Sequence, residues 1–164
     1  KIKNNKLIIN NLSKIGSDVP ACFLSKNVKV SGTGEILQPI KLLNKKLWAL
    51  LIKPKSNYST KNIFESFNNS YAKPTKFELT LNNLINDMNK YNNSLEKTVC
   101  RIEKNVKNVL CYLYKFNSLT LPRITGSGST VLVLFKTKED LKIYNKKLSF
   151  GKKDYWIQYS HLIL

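Results

Sequence analysis

Six apolar residues between Ser94 and Tyr114 recur at spacings of four and three: Leu95, Val99, Ile102, Val106, Val109 and Leu113. That period lines all of them along one side of a helix, and such a stripe is stable only when it is covered. It is read as core, not as a seam for a partner. Two apolar runs of strand length, Leu47 to Ile52 and Thr130 to Phe135, flank it in the chain. Neither approaches the ~20 residues needed to span a bilayer. With 164 residues, 42% of them hydrophobic, the chain can bury a core of its own, which excludes wholesale disorder.

The remaining elements follow from local pattern. Lys6 to Lys14 is helix-like, with Leu7, Ile8 and Leu12 able to share a face, and Gly16-Ser17-Asp18-Val19-Pro20 ends it. Val28 and Val30 alternate with lysines as a strand before the Gly32-Thr33-Gly34 turn. The strand of Leu47 to Lys53 stops at Pro54. Ser59 or Thr60 can then cap a helix through Phe67, because a hydroxyl accepts from an orphan amide of the first turn. A second helix is expected over Lys76 to Lys90, with Leu81, Leu84, Ile85 and Met88 on one side. After the long helix, Leu119 to Ile124 leads into Thr125-Gly126-Ser127-Gly128-Ser129, and Thr130 to Phe135 leaves it as a strand. Thr137, with Asp140 three residues on, approximates a capping box for a helix to Leu148. Asp154 to Leu164 closes the chain as a strand. From Leu47 onward the order is β-α-α-α-β-β-α-β, an α+β chain on a split βαβ plan with extra helices. One helix and one hairpin cannot bury a core. Residues 1–45 are therefore expected to be the tail of a domain whose front is missing, and 46–164 a domain in their own right.

The formal net charge is +18, yet only Arg101 and Arg123 of the 28 basic residues are arginine. Base-edge readout and bidentate phosphate clamps favour arginine. The lysines are also spread along the whole chain among asparagines, so no specific nucleic acid is expected as partner. Codon bias toward A and T and a selected basic surface both remain open, and either accommodates a pocket for an anionic metabolite. Cys22, Cys100 and Cys111 have no metal-like spacing and are read as reduced, buried residues of a cytosolic, hence cytoplasmic, protein. No signal peptide is recognisable, and a first residue of Lys1 rather than Met suggests that the gene's own start lies upstream.

Two places could carry chemistry. The glycines of Thr125–Thr130 can take positive φ and turn backbone amides inward as an anion cradle, with hydroxyls as further donors. The alternative is a plain tight turn between two strands. The string is neither a Walker loop nor a dinucleotide fingerprint, since no Gly-Lys-Ser/Thr ending and no helix follow it. Asp18, on a stiff turn, can accept a proton from a substrate hydroxyl in phosphoryl transfer; alternatively it is the N-cap of a short helix begun by Val19-Pro20. His161 stands without a second histidine or a nearby cysteine, so no metal site is expected.

Taken in order, these pieces resemble one family. Ile15-Gly16-Ser17-Asp18-Val19-Pro20 is similar to the G-A-D-V-P segment of 4-diphosphocytidyl-2-C-methyl-D-erythritol kinases, in the GHMP kinase superfamily. Gly32-Thr33-Gly34-Glu35-Ile36-Leu37-Gln38-Pro39 resembles its G-x-G-E-x-L-x-P hairpin. Lys53-Pro54 followed by Ser59-Thr60-Lys61-Asn62-Ile63-Phe64 is similar to its P…S-T-x-x-x-[FY] element. Tyr91-Asn92-Asn93-Ser94-Leu95-Glu96 resembles its N-D-L-E with one extra residue and asparagine for aspartate. Gly126-Ser127-Gly128-Ser129-Thr130 is similar to its third nucleotide motif, Thr125 standing for a serine.

The resemblance implies a GHMP-kinase-like fold with a ferredoxin-like C-terminal domain, and an ATP-dependent transfer to the 2-hydroxyl of 4-diphosphocytidyl-2-C-methyl-D-erythritol in isoprenoid precursor synthesis. By the same resemblance Asp18 would be the base, and Gly126, Ser127 and Gly128 would close the ATP-phosphate site. Thr60 and Phe64 would meet the substrate, Phe64 stacking on cytosine; without the resemblance Phe64 reads as a core residue beside Ile63 and Phe67. Mg²⁺ would accompany ATP, although nothing here is an obvious ligand for it. The family's N-terminal lysine, its P-x-G-x-G-G-G-S-S loop and one aromatic of the cytosine clamp have no counterpart in these residues. A missing N-terminal half is therefore an implied partner, and the chain alone is expected to be inactive. A noncatalytic basic remnant, or a nonspecific binder of polyanions, is the alternative.

Overall fold

A computed structural model describes residues 6–40, 46–69, 71, 81–148 and 154–163. Two compact units divide it, one taking in Lys1–Leu43 and the other Asn44–Ile163.

In the first unit, helix α1 (Lys6–Ile15) is followed by α2 (Val19–Leu24) and by the hairpin of β1 (Val28–Ser31) and β2 (Ile36–Pro39). Pro20 lies in the first turn of α2, where its missing N–H is no loss. The hairpin pairs Val28 with Pro39 and Ser31 with Ile36. Its turn needs glycine at Gly34, where φ is +104° and a Cβ would stand 2.1 Å from the Ser17 carbonyl oxygen. The hairpin tip thus lies directly on the turn that carries Asp18. The buried residue of α1 is Ile9, whereas Leu7, expected to share an apolar face with Ile8 and Leu12, is 67% exposed.

In the second unit, four antiparallel strands run in the order β4-β5-β3-β6, comprising β3 (Lys46–Pro54), β4 (Arg123–Ile124), β5 (Val131–Phe135) and β6 (Tyr155–Ile163). This is the ferredoxin-like order. Central β3 pairs Leu50 with Val133 on one side and with Tyr159 on the other. The helices are α3 (Thr60–Glu65), α4 (Leu81–Lys90), α5 (Glu96–Ile102), α6 (Lys104–Leu113) and α7 (Lys138–Lys146). Leu50, Ile52, Val131, Val133 and Phe135 from the sheet share one core with Ile63, Val99, Val106, Val109, Leu113 and Tyr144 from the helices. The Tyr144 hydroxyl avoids an unpaired burial by donating to the Leu113 carbonyl at 3.1 Å.

Both expected caps form: Asn62 N–H donates to Ser59 Oγ at 3.2 Å, and Asp140 N–H to Thr137 Oγ1 at 3.0 Å. Thr137→Ala should therefore cost about 1 kcal/mol in urea unfolding; no loss would show that the cap is idle.

Three sequence expectations change. The Leu95–Leu113 stripe is divided between two helices, because Glu103 leaves the helical region (φ −120°, ψ 98°) and its carboxylate caps α6 by accepting from Asn105 N–H. Ile102 consequently turns outward, 40% exposed, while Val99 and Val106 on either side are fully buried. The strand expected from Leu119 shrinks to Arg123–Ile124, since Pro122 has no N–H for a ladder. Cys22 and Cys111 are exposed, and Cys100 is half-buried against the core, so none of these free thiols is fully buried. The helix expected from Lys76 is seen from Leu81; 76–80 lie outside the described residues. His161 lies across from Trp48 on β3, ring centroids 5.8 Å apart.

Candidate functional site

The glycine loop joins β4 to β5 as a closed turn. Thr125 N–H donates to the Thr130 carbonyl and Gly128 N–H to the Thr125 carbonyl, both at 2.9 Å. Gly126 (φ +52°) and Gly128 (φ +83°) hold the left-handed backbone that makes this closure possible. At Gly128 a Cβ would also fall 2.3 Å from the Tyr58 hydroxyl oxygen.

Tyr58 belongs to the segment between β3 and α3, and that segment runs alongside the loop through three hydrogen bonds. Ser56 Oγ meets Ser129 Oγ at 2.9 Å, Tyr58 Oη donates to the Ser127 carbonyl at 3.2 Å, and Thr60 Oγ1 meets Ser127 Oγ at 2.9 Å. Two predicted site residues, Thr60 and Ser127, are thus in direct contact although 67 positions apart. Phe64 lies one turn beyond Thr60 on the same side of α3 and is 59% exposed, whereas Ile63 is fully buried and Phe67 nearly so. The core reading of Phe64 is therefore overturned. An open groove of about 1020 Å³ adjoins the loop, lined by Lys53, Lys55, Ser56, Tyr58, Thr60, Gly128–Thr130 and the 154–156 stretch.

Asp18 lies in the other unit. It is exposed at the N-cap position of α2, yet its carboxylate makes no side-chain cap bond. The capping alternative is thus met in position but not in chemistry. Among the described residues no three His, Cys, Asp or Glu side chains gather as a metal site. No helix among them is long and apolar enough to cross a membrane.

Burial, reinforced by the charge of Glu103 and by Cys100, pushes the Tyr58 phenol up to about 12. It therefore stays a neutral donor to Ser127 throughout the physiological range. The unfolded chain releases that proton near pH 10. A group whose pKa rises on folding contributes stability that is complete below pH 10 and lost as pH climbs toward 12. Tyr58→Phe has nothing to ionise and should flatten part of the alkaline fall in Tm over that window; an unchanged slope would count against the buried, neutral phenol.

No protein-family model matches the chain. A 4-diphosphocytidyl-2-C-methyl-D-erythritol kinase of Buchnera aphidicola subsp. Schizaphis graminum is 36% identical over 130 residues, 77% of this chain and 40% of the relative. The enzyme of that name from Chromobacterium violaceum is 31% identical over 80% of this chain and 44% of the relative. The Wolbachia relative from Brugia malayi is 27% identical over 99% of this chain and 57% of its own length. The chain is homologous to the 4-diphosphocytidyl-2-C-methyl-D-erythritol kinases. It spans about half the length of the curated relatives it matches, which fits the C-terminal part of such a kinase. A crystal structure of 4-(cytidine 5'-diphospho)-2C-methyl-D-erythritol kinase superposes with a TM-score of 0.71 at 21% identity, covering 93% of this chain and 56% of that one. Homoserine kinase from Cytophaga hutchinsonii superposes at 0.51 and 16% identity, covering 90% of this chain and 54% of its own. The fold is that of these GHMP-type kinases. Among the residues that line the kinase-like loop, Ser56 and Tyr58 carried no sequence signal, because their partners lie 73 and 69 positions away.

Proposed function

We propose that the chain is the C-terminal portion of a 4-diphosphocytidyl-2-C-methyl-D-erythritol kinase, acting in the cytoplasm in isoprenoid precursor synthesis. The intact enzyme moves the γ-phosphoryl of ATP to the substrate's 2-hydroxyl. In this reading residues 1–45 complete the N-terminal domain and 46–164 form the C-terminal one. The exposure of Leu7 (67%) and Ile15 (75%) in the first unit agrees with a surface that further chain covers. The observation that carries the proposal is the contact of Thr60 with Ser127, which sets the substrate-side helix against the glycine loop.

Each residue then has a defined task. Asp18 takes the proton of the attacking hydroxyl. Gly126, Ser127 and Gly128 close on the phosphoryl oxygens, with Gly126 and Ser127 as amide donors because Gly128 N–H already donates to the Thr125 carbonyl. Exposed Phe64 stacks on cytosine, worth roughly 1–3 kcal/mol for an aromatic under a base. Phosphoryl transfer works by positioning and charge stabilisation, and much of that apparatus is expected from an N-terminal half. Kinase assay with MgATP and 4-diphosphocytidyl-2-C-methyl-D-erythritol tests this, using the chain alone and fused behind the N-terminal half of the Buchnera relative. No turnover alone and turnover in the fusion are expected. The +18 charge favours one other reading, a nonspecific polyanion binder. An inactive fusion, with ATP binding that collapses with salt and ignores the base, would establish that reading instead.

A further inference from the structure

The approach to the glycine loop is short of regular backbone pairing. Within 119–126 only Arg123 and Ile124 form a ladder with β5. Leu119 N–H donates to the Leu134 carbonyl and Thr125 closes the loop, while several of the other backbone polar groups are taken up by side chains from 89–96. Asn89 holds the upstream end, its Nδ2 donating to the Leu119 carbonyl at 3.2 Å and its Oδ1 accepting from Leu121 N–H at 2.8 Å. Glu96 Oε2 accepts from Ile124 N–H at 3.1 Å. Asn93 reaches the loop itself: its Nδ2 donates to the Gly126 carbonyl at 2.7 Å and to the Ile124 carbonyl at 3.4 Å. Its Oδ1 accepts from Leu95 N–H at 2.9 Å, which fixes the amide plane.

The Gly126 position has no packing to orient it, since a Cβ there would meet nothing within 4 Å. Hydrogen bonding does that work. In a trans peptide the carbonyl and the next N–H point in opposite directions. With the Gly126 carbonyl turned onto Asn93, the Ser127 N–H is turned away from it. We infer that Asn93 is a positioning residue of the phosphoryl site: it fixes the Gly126–Ser127 peptide so that the Ser127 amide presents its proton to an anionic phosphoryl oxygen. This rests on the reading of the loop as a phosphate cradle. The group recognised is a polyphosphate.

Inorganic triphosphate titrated into the full ¹⁵N-labelled chain at fixed ionic strength tests this. In the native chain the Ser127 amide should move downfield on binding. Asn93→Asp keeps the size and the acceptor for Leu95 N–H, but replaces the donor with an oxygen that repels the Gly126 carbonyl. It should weaken triphosphate binding about tenfold or more, the scale of a hydrogen bond to a charged group, and abolish the Ser127 shift. Asn89→Asp makes the same change at the upstream clamp. It should lower stability in urea yet leave affinity within about twofold, which separates positioning from general support. A Ser127 response that survives in Asn93→Asp, or an equal loss in Asn89→Asp, overturns the role of Asn93 while leaving the cradle intact. No Ser127 response in the native chain overturns the cradle and the inference with it. Should Asn93→Asp not fold, the native chain still decides: the Asn93 side-chain amide signals must shift in step with Ser127, and their indifference to triphosphate refutes the coupling.

Discussion

Asp18→Asn, in the active fusion, is expected to lower kcat by about 10²–10⁴-fold, the contribution of a positioned base, or roughly 3 to 5 kcal/mol of barrier. KM should change little. The substitution is close to isosteric, and asparagine is as good as aspartate at an N-cap. The side chain is also exposed and bonds to no amide of α2, so the fold has little to lose from the change. Two measurements separate chemistry from damage. The urea midpoint should be unaltered, and the variant should bind ATP and substrate as tightly as the parent. Turnover near that of the parent would remove Asp18 from the mechanism. Turnover lost together with the urea midpoint would assign it to the fold.

Gly128→Ala should be the most damaging single methyl group in the loop, costing about 2–5 kcal/mol of a stability that is typically about 5–15. One part of the cost is backbone strain, because φ at this position is +83°. The other is steric. The added Cβ would stand 2.3 Å from Tyr58 Oη and 3.4 Å from a Val99 methyl, so the phenol must leave the Ser127 carbonyl it now donates to. Tyr58 packs on the main core, which leaves it little room to retreat. Gly126→Ala is the internal comparison: its φ is +52°, with open space around it, so only the strain of about 1–2 kcal/mol remains. Urea unfolding of the two variants decides. Equal losses would mean that Tyr58 yields freely and the segment from Ser56 to Thr60 does not brace the loop.

The parts of this chain that were legible in advance share a short physical range. The caps at Ser59 and Thr137 are bonds to an amide three residues away, and both formed where expected. The four-strand plan could be read because β3 and β5 are nearly continuous apolar runs and the loop between β4 and β5 is marked by its glycines. The strand expected from Leu119 ran through Pro122, and the structure confines β4 to Arg123–Ile124, since a residue without an N–H cannot extend a ladder. The candidate site was readable as residue types in a family-like order, which is why Thr60, Phe64, Gly126, Ser127 and Gly128 could be named at all.

Sequence alone determined the two helix caps, the apolar runs of β3 and β5 and the placing of a carboxylate before Val19-Pro20, because each depends on local dihedrals or on a period of two or 3.6 residues. Tertiary structure alone decided what holds the loop. Thr60 meets Ser127, Tyr58 roofs Gly128 and Asn93 ties down Gly126 across 33 to 70 positions, where one-dimensional pattern carries no information. It decided the break at Glu103 as well. Nothing in the spacing forbids a helix there, but Asn105 Nδ2 donates to the Lys55 carbonyl at 3.1 Å, so the start of α6 is tied to the chain leaving β3. It also turned Phe64 outward while Ile63 took the core, a choice made by which side of a short helix the sheet covers. Local bonds select elements; only packing selects the faces and partners from which a site is made.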